Sequence, residues 1–170
     1  MKNDKEIVLE AVKQNGNALR SVVKELRDDK TIVLTAIKEN GLVLRFLFGS
    51  LREDPEIVLA AVEQDGLSLK YVEGELRYDR NIVLAAVRQN GLSLKYVENE
   101  LNHDKEIVWS AVRQNLEALQ YATETLKNGG LKEYVDNYFP NNNVVILGDL
   151  NDSLIDNPSN NVFQMFLDVI

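Results

Sequence analysis

The sequence predicts an all-α chain, chiefly a right-handed-type α-solenoid of five 25-residue helical hairpins, ending in a short α/β C-terminal appendage. Three observations predict it. The phrase D-x-x-I-V opens at Asp4, Asp29, Asp54, Asp79 and Asp104, a strict spacing of 25 residues, and a fixed period of this size marks stacked supersecondary units. Each copy carries matching helix start and stop residues. Within each copy, apolar residues recur at helical spacing. The repeats occupy 1–128 and the appendage 129–170.

The third copy, Asp54 to Gly66, shows why its first half is a helix. Asp54 is a favoured N-cap, able to accept from the free amides of the first turn. Pro55 follows at the first helical position, where its missing N–H costs nothing. Glu56 complements the positive end of the helix dipole. Gly66 is expected to close the helix as a left-handed residue after Asp65, as after Asn15, Asn40 and Asn90 in other copies. Ile57, Val58, Leu59, Ala61 and Val62 cover more than a narrow stripe, so this helix, helix A, is expected between neighbours. The alanines Ala11, Ala36, Ala61, Ala86 and Ala111 allow close backbone approach.

The second half, helix B, is expected from about Leu67 to Arg77. Leu69, Val72 and Leu76 share one face, as do Leu19/Val22/Leu26, Leu44/Leu47/Leu51, Leu94/Val97/Leu101 and Leu119/Ala122/Leu126. Turns of two or three residues lead to the next copy. Helices of about ten residues are marginal alone, so stability must come from docking one repeat on the next. In the fifth copy Asn115 is followed by Leu116 instead of glycine. Either Asn115 turns left-handed or the two helices fuse from about 104 to 127; a retained kink is the favoured expectation.

Bulk properties narrow the function classes. An apolar fraction of 45% with 27% charged residues is that of a globular protein. No apolar stretch approaches the ~20 residues that cross a bilayer, and the N-terminal residues read directly into the first repeat without a secretory signal. With no cysteine, there is neither a disulfide framework nor a thiolate metal site, which suits a cytoplasmic protein. Net charge is −8. Residues 1–130 hold 18 Lys/Arg against 21 Asp/Glu, and residues 131–170 one Lys against six acids. Neither part has the clustered positive surface of a nucleic-acid binder.

Two ladders run along helix B. One holds Arg20, Arg45, Lys70 and Lys95, then Gln120, edged by the aromatics Phe46, Tyr71, Tyr96 and Tyr121. Seven residues on stand Arg27, Arg52, Arg77, Asn102 and Lys127. Together they suggest a cationic, aromatic-edged groove for an acidic protein segment, because Arg and Tyr are favoured at binding hot spots. A plainer account covers the same residues. Arg27 and its equivalents sit at helix C-termini, where a cation complements the dipole. Lys70 and Lys95 have Glu73 and Glu98 three residues on, and the tyrosines fill space between repeats. Interleaved Glu25, Glu75 and Glu100 weaken any nucleic-acid reading. His103, the single histidine, falls at an exposed turn, and Trp109, in a leucine position, is expected in the core.

These residues resemble an uncharacterised repeat family, domain of unknown function four-one-one-six, whose units read much like D-x-E-I-V-L-x-A-V-x-x-N-G-x-x-L-x-x-V-x-x-x-L-R. The resemblance covers residues 4 to about 127. It implies tandem arrays within larger bacterial proteins and no established activity.

After Asn128-Gly129-Gly130 the pattern changes. Leu131–Tyr138 reads as a short helix ended by Pro140, Val144–Leu147 as a β-branched strand, and Val162–Leu167 as a short helix. Val144-Val145-Ile146-Leu147-Gly148-Asp149-Leu150-Asn151-Asp152 resembles the strand end of the endonuclease/exonuclease/phosphatase superfamily of the DNase I type. That resemblance implies that Asp149 and Asn151 match an active-site Asp and Asn. The metal-binding partners from early strands and the His–Asp pair of that fold have no counterpart here, so Asp149 and Asn151 are expected to be catalytic relics. Strand 144–147 needs hydrogen-bond partners. A second copy across a twofold axis, the last repeat, or the rest of a fused gene product could each supply them.

The expectation is therefore a protein-interaction or structural repeat module, with no catalysis by this chain alone, no cofactor, no metal and no membrane association. Its binding residues would be Arg20, Arg45, Lys70, Lys95, Phe46, Tyr71, Tyr96 and Tyr121. The alternative is a fragment of a Mg-dependent phosphodiesterase or phosphatase whose remaining residues lie elsewhere.

Overall fold

A computed structural model of the chain describes residues 2–123. The chain divides into two compact units, Met1–Ala118 and Leu119–Ile170, and within the second only 119–123 are described. The appendage, including strand 144–147, Asp149 and Asn151, lies outside the described residues, as does Lys127.

All regular elements among the described residues are helical. The A helices are Lys2–Gln14, Lys30–Glu39, Pro55–Gln64, Arg80–Gln89 and Lys105–Gln114. In repeats two to five the capping Asp does what its chemistry suggests. Asp54 accepts from the Glu56 and Ile57 amides at 3.0 and 3.3 Å, and Asp29, Asp79 and Asp104 repeat the pattern. Each such cap contributes about 1 kcal/mol. Repeat one differs: its helix begins at Lys2, so Asp4 lies inside it.

Each A helix buries one edge, not its whole circumference. Ile57, Val58, Ala61 and Val62 are buried while Leu59 is exposed. Trp109, at the equivalent position, is half-buried and not in the core as expected; the column varies from repeat to repeat, Leu84 being buried. Ile32, Ile57, Ile82 and Ile107 are all buried, and each A helix packs on the next along Met1–Ala118.

Helix B is not a helix of the expected length. In the third repeat a 3-10 segment, Gly66–Tyr71, gives way to extended Val72 and Glu73, and a second 3-10 segment runs from Gly74 to Tyr78. The second and fourth repeats split likewise, at Gly41–Phe46 with Gly49–Arg52 and at Gly91–Tyr96 with Asn99–His103. In repeats two to four the residue after the extended pair, which opens the second segment, is in the left-handed region: Gly49 at φ 56°, Gly74 at 63° and Asn99 at 57°. Gly and Asn enter that region at low cost, and a helix cannot continue through it. Repeat one breaks at the same place, at extended Val22 and Val23, without a left-handed residue: Lys24 stands there, and its second segment, Lys24–Arg27, is an α-turn.

The first 3-10 segment of repeats one to four buries Leu19, Leu44, Leu69 or Leu94 completely or nearly so, whereas Leu119 of repeat five is half-buried. The second column, Leu47, Val72 and Val97, is buried too, and the third is shallower, with Leu26, Leu51, Leu76 and Leu101 half-buried. The first 3-10 segments of repeats one to four lie side by side. In the fifth repeat the helix is interrupted and not fused, but Asn115 makes the break in an extended conformation, φ −151°, ψ 114°, not the left-handed one expected, and a 3-10 segment follows over Leu116–Tyr121.

Glycine at the A–B junction is not a left-handed cap. Asp65 is extended (φ −147°, ψ 109°); it ends one helix through its amide and opens the next segment by accepting from Leu67 N–H. Gly66 is needed for space: a Cβ there would stand 2.3 Å from the Ala86 carbonyl of the next repeat. Gly16, Gly41 and Gly91 approach Ala36, Ala61 and Ala111 equally closely. Among the described residues, no helix is long and apolar enough to cross a membrane.

Candidate binding surface

Arg20, Arg45, Lys70 and Lys95 are all exposed, one at the end of each first 3-10 segment. Since these segments stack side by side, the cations recur from one tier to the next. The adjoining Phe46, Tyr71 and Tyr96 are half-buried, and Tyr121 is exposed. Three of the four cations bend back over their own aromatic neighbours, whereas Arg20 is followed by Ser21. Arg45 lies 4.6 Å from the Phe46 centroid, Lys70 5.6 Å from Tyr71 and Lys95 4.8 Å from Tyr96. The ladder is thus a series of cation–π pairs at constant interval, each worth about 0.5–1 kcal/mol at an exposed site.

The second ladder is structural and crosses repeat boundaries. Arg77 donates to Glu98 at 2.7 Å, and Arg52 pairs with Glu73 in the same way. Those glutamates, expected to serve Lys70 and Lys95 within the repeat, therefore hold the arginine of the preceding repeat. Arg52 also donates to the Arg45 carbonyl at 2.8 Å and Arg77 to the Val72 carbonyl at 3.4 Å. A guanidinium has enough donors for both tasks, which a lysine does not match in geometry.

Phe48 is the residue that periodicity alone does not single out. It stands where repeats three and four carry Glu73 and Glu98, it is 66% exposed, and Arg27 and Arg52 each lie 5.6 Å from its ring centroid. The neighbouring Glu25/Glu75/Glu100 column holds Ser50 in this repeat. Repeat two therefore lacks both glutamates of that surface and presents Arg45, Phe46, Phe48 and Arg52 without an acidic residue from Gly41 to Arg52. The signal was available in sequence as two simultaneous departures from the repeat.

A third set of charges joins A helices. Lys5 reaches Asp29 at 2.5 Å; Lys30 reaches Asp54 at 2.7 Å and Glu56 at 2.8 Å. Arg80 reaches Asp104 at 2.9 Å and Glu106 at 2.6 Å. The Lys5, Lys30 and Arg80 side chains hold the Asp29, Asp54 and Asp104 carboxyls below the usual carboxylate value, against a smaller opposing push from partial burial. In return Asp54 and then Glu56 raise the Lys30 ammonium. Pro55 occupies the equivalent cation position before Asp79. His103 is exposed, as its turn position suggested.

The family model described as Domain of unknown function (DUF4116) matches four overlapping stretches, residues 4–52, 29–77, 54–102 and 79–127. Each match spans two repeats and steps forward by one. No curated protein and no solved structure matches the chain. The comparisons give no support to a DNase I-like likeness for residues 131–170. The chain belongs to the DUF4116 family.

Proposed function

We propose that this member of the DUF4116 family is an interaction module: an α-solenoid whose B segments bind an acidic segment of a protein partner. The supporting observation is the tier-by-tier recurrence of exposed cation–aromatic pairs, Arg45/Phe46, Lys70/Tyr71 and Lys95/Tyr96. Rings already covered by their own cations offer a stiff, amphipathic edge, and aromatic and Arg side chains dominate binding energy at such surfaces. The A helices and the cross-repeat ion pairs then act as the frame that keeps these pairs in register.

In this reading the chain carries out no catalysis by itself. The proposal rests on the described repeats and makes no use of Asp149 or Asn151. Its test is a triple reversal, Arg45→Glu, Lys70→Glu and Lys95→Glu, in the full chain. Partner capture and the affinity for labelled glutamate-rich peptides should both fall at least tenfold, with the helical circular dichroism spectrum retained. Unchanged capture and affinity would remove the groove idea and leave a purely structural spacer.

A further inference from the structure

Repeats two, three and four each set one side chain against an arginine near the end of the repeat before. In repeats three and four it is a glutamate: Glu73 meets Arg52, and Glu98 meets Arg77 at 2.7 Å. In repeat two it is Phe48, which meets Arg27 with its ring. Phe48, Glu73 and Glu98 share an extended backbone, so the column differs in side chain and not in framework. Among the described residues Arg27 has no carboxylate at ion-pair distance. Acid is withdrawn from the same corner in two further ways. Ser50 stands in the Glu25/Glu75/Glu100 column. A Cβ on Gly74 would lie 3.4 Å from the Glu53 carboxyl of the preceding repeat, whereas one on Gly49 would meet nothing within 4 Å; Asp28, at the position of Glu53, is a methylene shorter.

What this corner offers is positive and apolar. Arg52 is engaged by Glu73, but the guanidiniums of Arg27 and Arg45 meet rings and, among the described residues, no carboxylate. A ring does not satisfy the N–H donors of a guanidinium, and their planar fork matches a carboxylate in a bidentate pair. Phe48 adds a large, mostly exposed apolar surface beside those donors. The sister repeats supply the precedent, since the same column holds a carboxylate against its arginine at two successive boundaries.

On the basis of the interaction role proposed above, we infer that Arg27 and Phe48 are the anchoring point of that surface. A glutamate or aspartate of the partner's acidic segment pairs with Arg27, in the role that Glu73 and Glu98 fill within the chain, and an apolar residue next to it lies on the Phe48 ring. The segment recognised is therefore not acidic alone: it carries an acidic residue beside an apolar one.

The test is a titration of the full chain with a labelled glutamate-rich peptide that carries one leucine between glutamates. Arg27→Gln should weaken binding about fivefold, the worth of a good exposed ion pair, at an unchanged urea midpoint, and Arg27→Lys should recover part of the loss. Exchanging the peptide's leucine for glycine should weaken binding to the parent chain but not to Phe48→Ala. Lys38→Gln removes the same charge from an exposed position on the A helix of repeat two and should change affinity less than twofold. Equal affinities for the parent and Arg27→Gln, or equal losses in Arg27→Gln and Lys38→Gln, would overturn the anchor. If the triple reversal at Arg45, Lys70 and Lys95 still lowers affinity in that case, the wider interaction role stands; if it does not, both fall. Two other occupants would show themselves in the same titration. Replacing the six acidic residues of 131–170 by their amides would raise affinity at least tenfold if the chain's own C-terminal residues held the site, and diluting the chain would raise it if a second copy did. Either result would overturn a separate partner.

Discussion

Gly66 lies so close to Ala86 that one added carbon would stand 2.3 Å from the alanine's carbonyl oxygen. That oxygen belongs to the backbone of the next A helix and cannot swing aside. Gly66→Ala is therefore expected to destabilise the chain by about 3 kcal/mol, the upper end of ordinary overpacking. Gly49 is the internal contrast: its φ is 56° and nothing approaches within 4 Å. Gly49→Ala should cost only about 1 kcal/mol, the left-handed penalty alone. Gly49→Asn should cost less, since Asn99 already adopts φ 57° in repeat four. Urea denaturation of the three variants checks the order, and equal losses at Gly66 and Gly49 would mean that the boundary is looser than described.

The bonds by which Gly41, Gly66 and Gly91 donate to Gln64, Gln89 and Gln114 of the next repeat give a second prediction with its own control. Buried Gly41 donates its amide to Gln64, because the neighbouring Asn40 side chain is occupied with Leu42 N–H. Gln64→Leu leaves that amide without its acceptor, which should cost about 1–3 kcal/mol. Gln14→Leu, at the exposed end of the first A helix, should change stability by less than about 0.5 kcal/mol. Hydrogen exchange at the Gly41 amide, faster in Gln64→Leu, would locate the effect.

What could be read from sequence divides along physical lines. The A helices were legible because cap, dipole and apolar period act within a dozen residues and agree, as at Asp54, Pro55 and Glu56. The B segments were misread because Leu69, Val72 and Leu76 fit a helical period equally well when two 3-10 turns replace one helix. The contrary signal was Gly49, Gly74 and Asn99, which share one column. Gly66 misled in the opposite sense: an Asn/Asp-Gly pair after a helix suggests a left-handed stop, whereas the requirement comes from Ala86, 20 residues away. For the candidate surface, exposure of Arg45, Lys70 and Lys95 followed from the period. Pairing of Glu73 with Arg52 did not, because it depends on how one tier sits on the next.

The A-helix ion pairs predict an acid-sensitive frame. Lys5, Lys30 and Arg80 lower Asp29, Asp54 and Asp104 from an ordinary value of 3.8. A carboxyl whose folded value is depressed contributes stability that is present above the unfolded value and is lost as pH falls through the folded one. The raised Lys30 ammonium works the other way, complete below 10.5 and lost only as pH climbs past its folded value. The urea midpoint should hold steady near neutrality and fall between about pH 5 and pH 2. Asp29→Asn, Asp54→Asn and Asp104→Asn together should flatten that fall, since Asn keeps the cap but not the charge. Superposable acid limbs would show that these carboxyls do not govern the transition.

Arg27, Phe48 and Arg52 give the last prediction, because one column solves the same problem in two ways. Where Glu73 and Glu98 meet the preceding arginine as ion pairs, Phe48 meets Arg27 with its ring, and Arg52 lies at the same distance from that ring. Exposed cation–π contacts and exposed ion pairs are each worth about 0.5–1 kcal/mol or less. Phe48→Glu should therefore leave stability within about 0.5 kcal/mol of the parent, an Arg27–carboxylate pair replacing the ring contact. Recognition should respond differently: the change removes a large exposed apolar side chain and puts a negative charge on the acid-free stretch from Gly41 to Arg52. If repeat two is the strongest part of the binding surface, Phe48→Glu weakens capture of an acidic peptide at least tenfold at constant urea midpoint, while Glu98→Phe does not. Equal effects on binding and stability would instead make Phe48 a packing residue of the ladder.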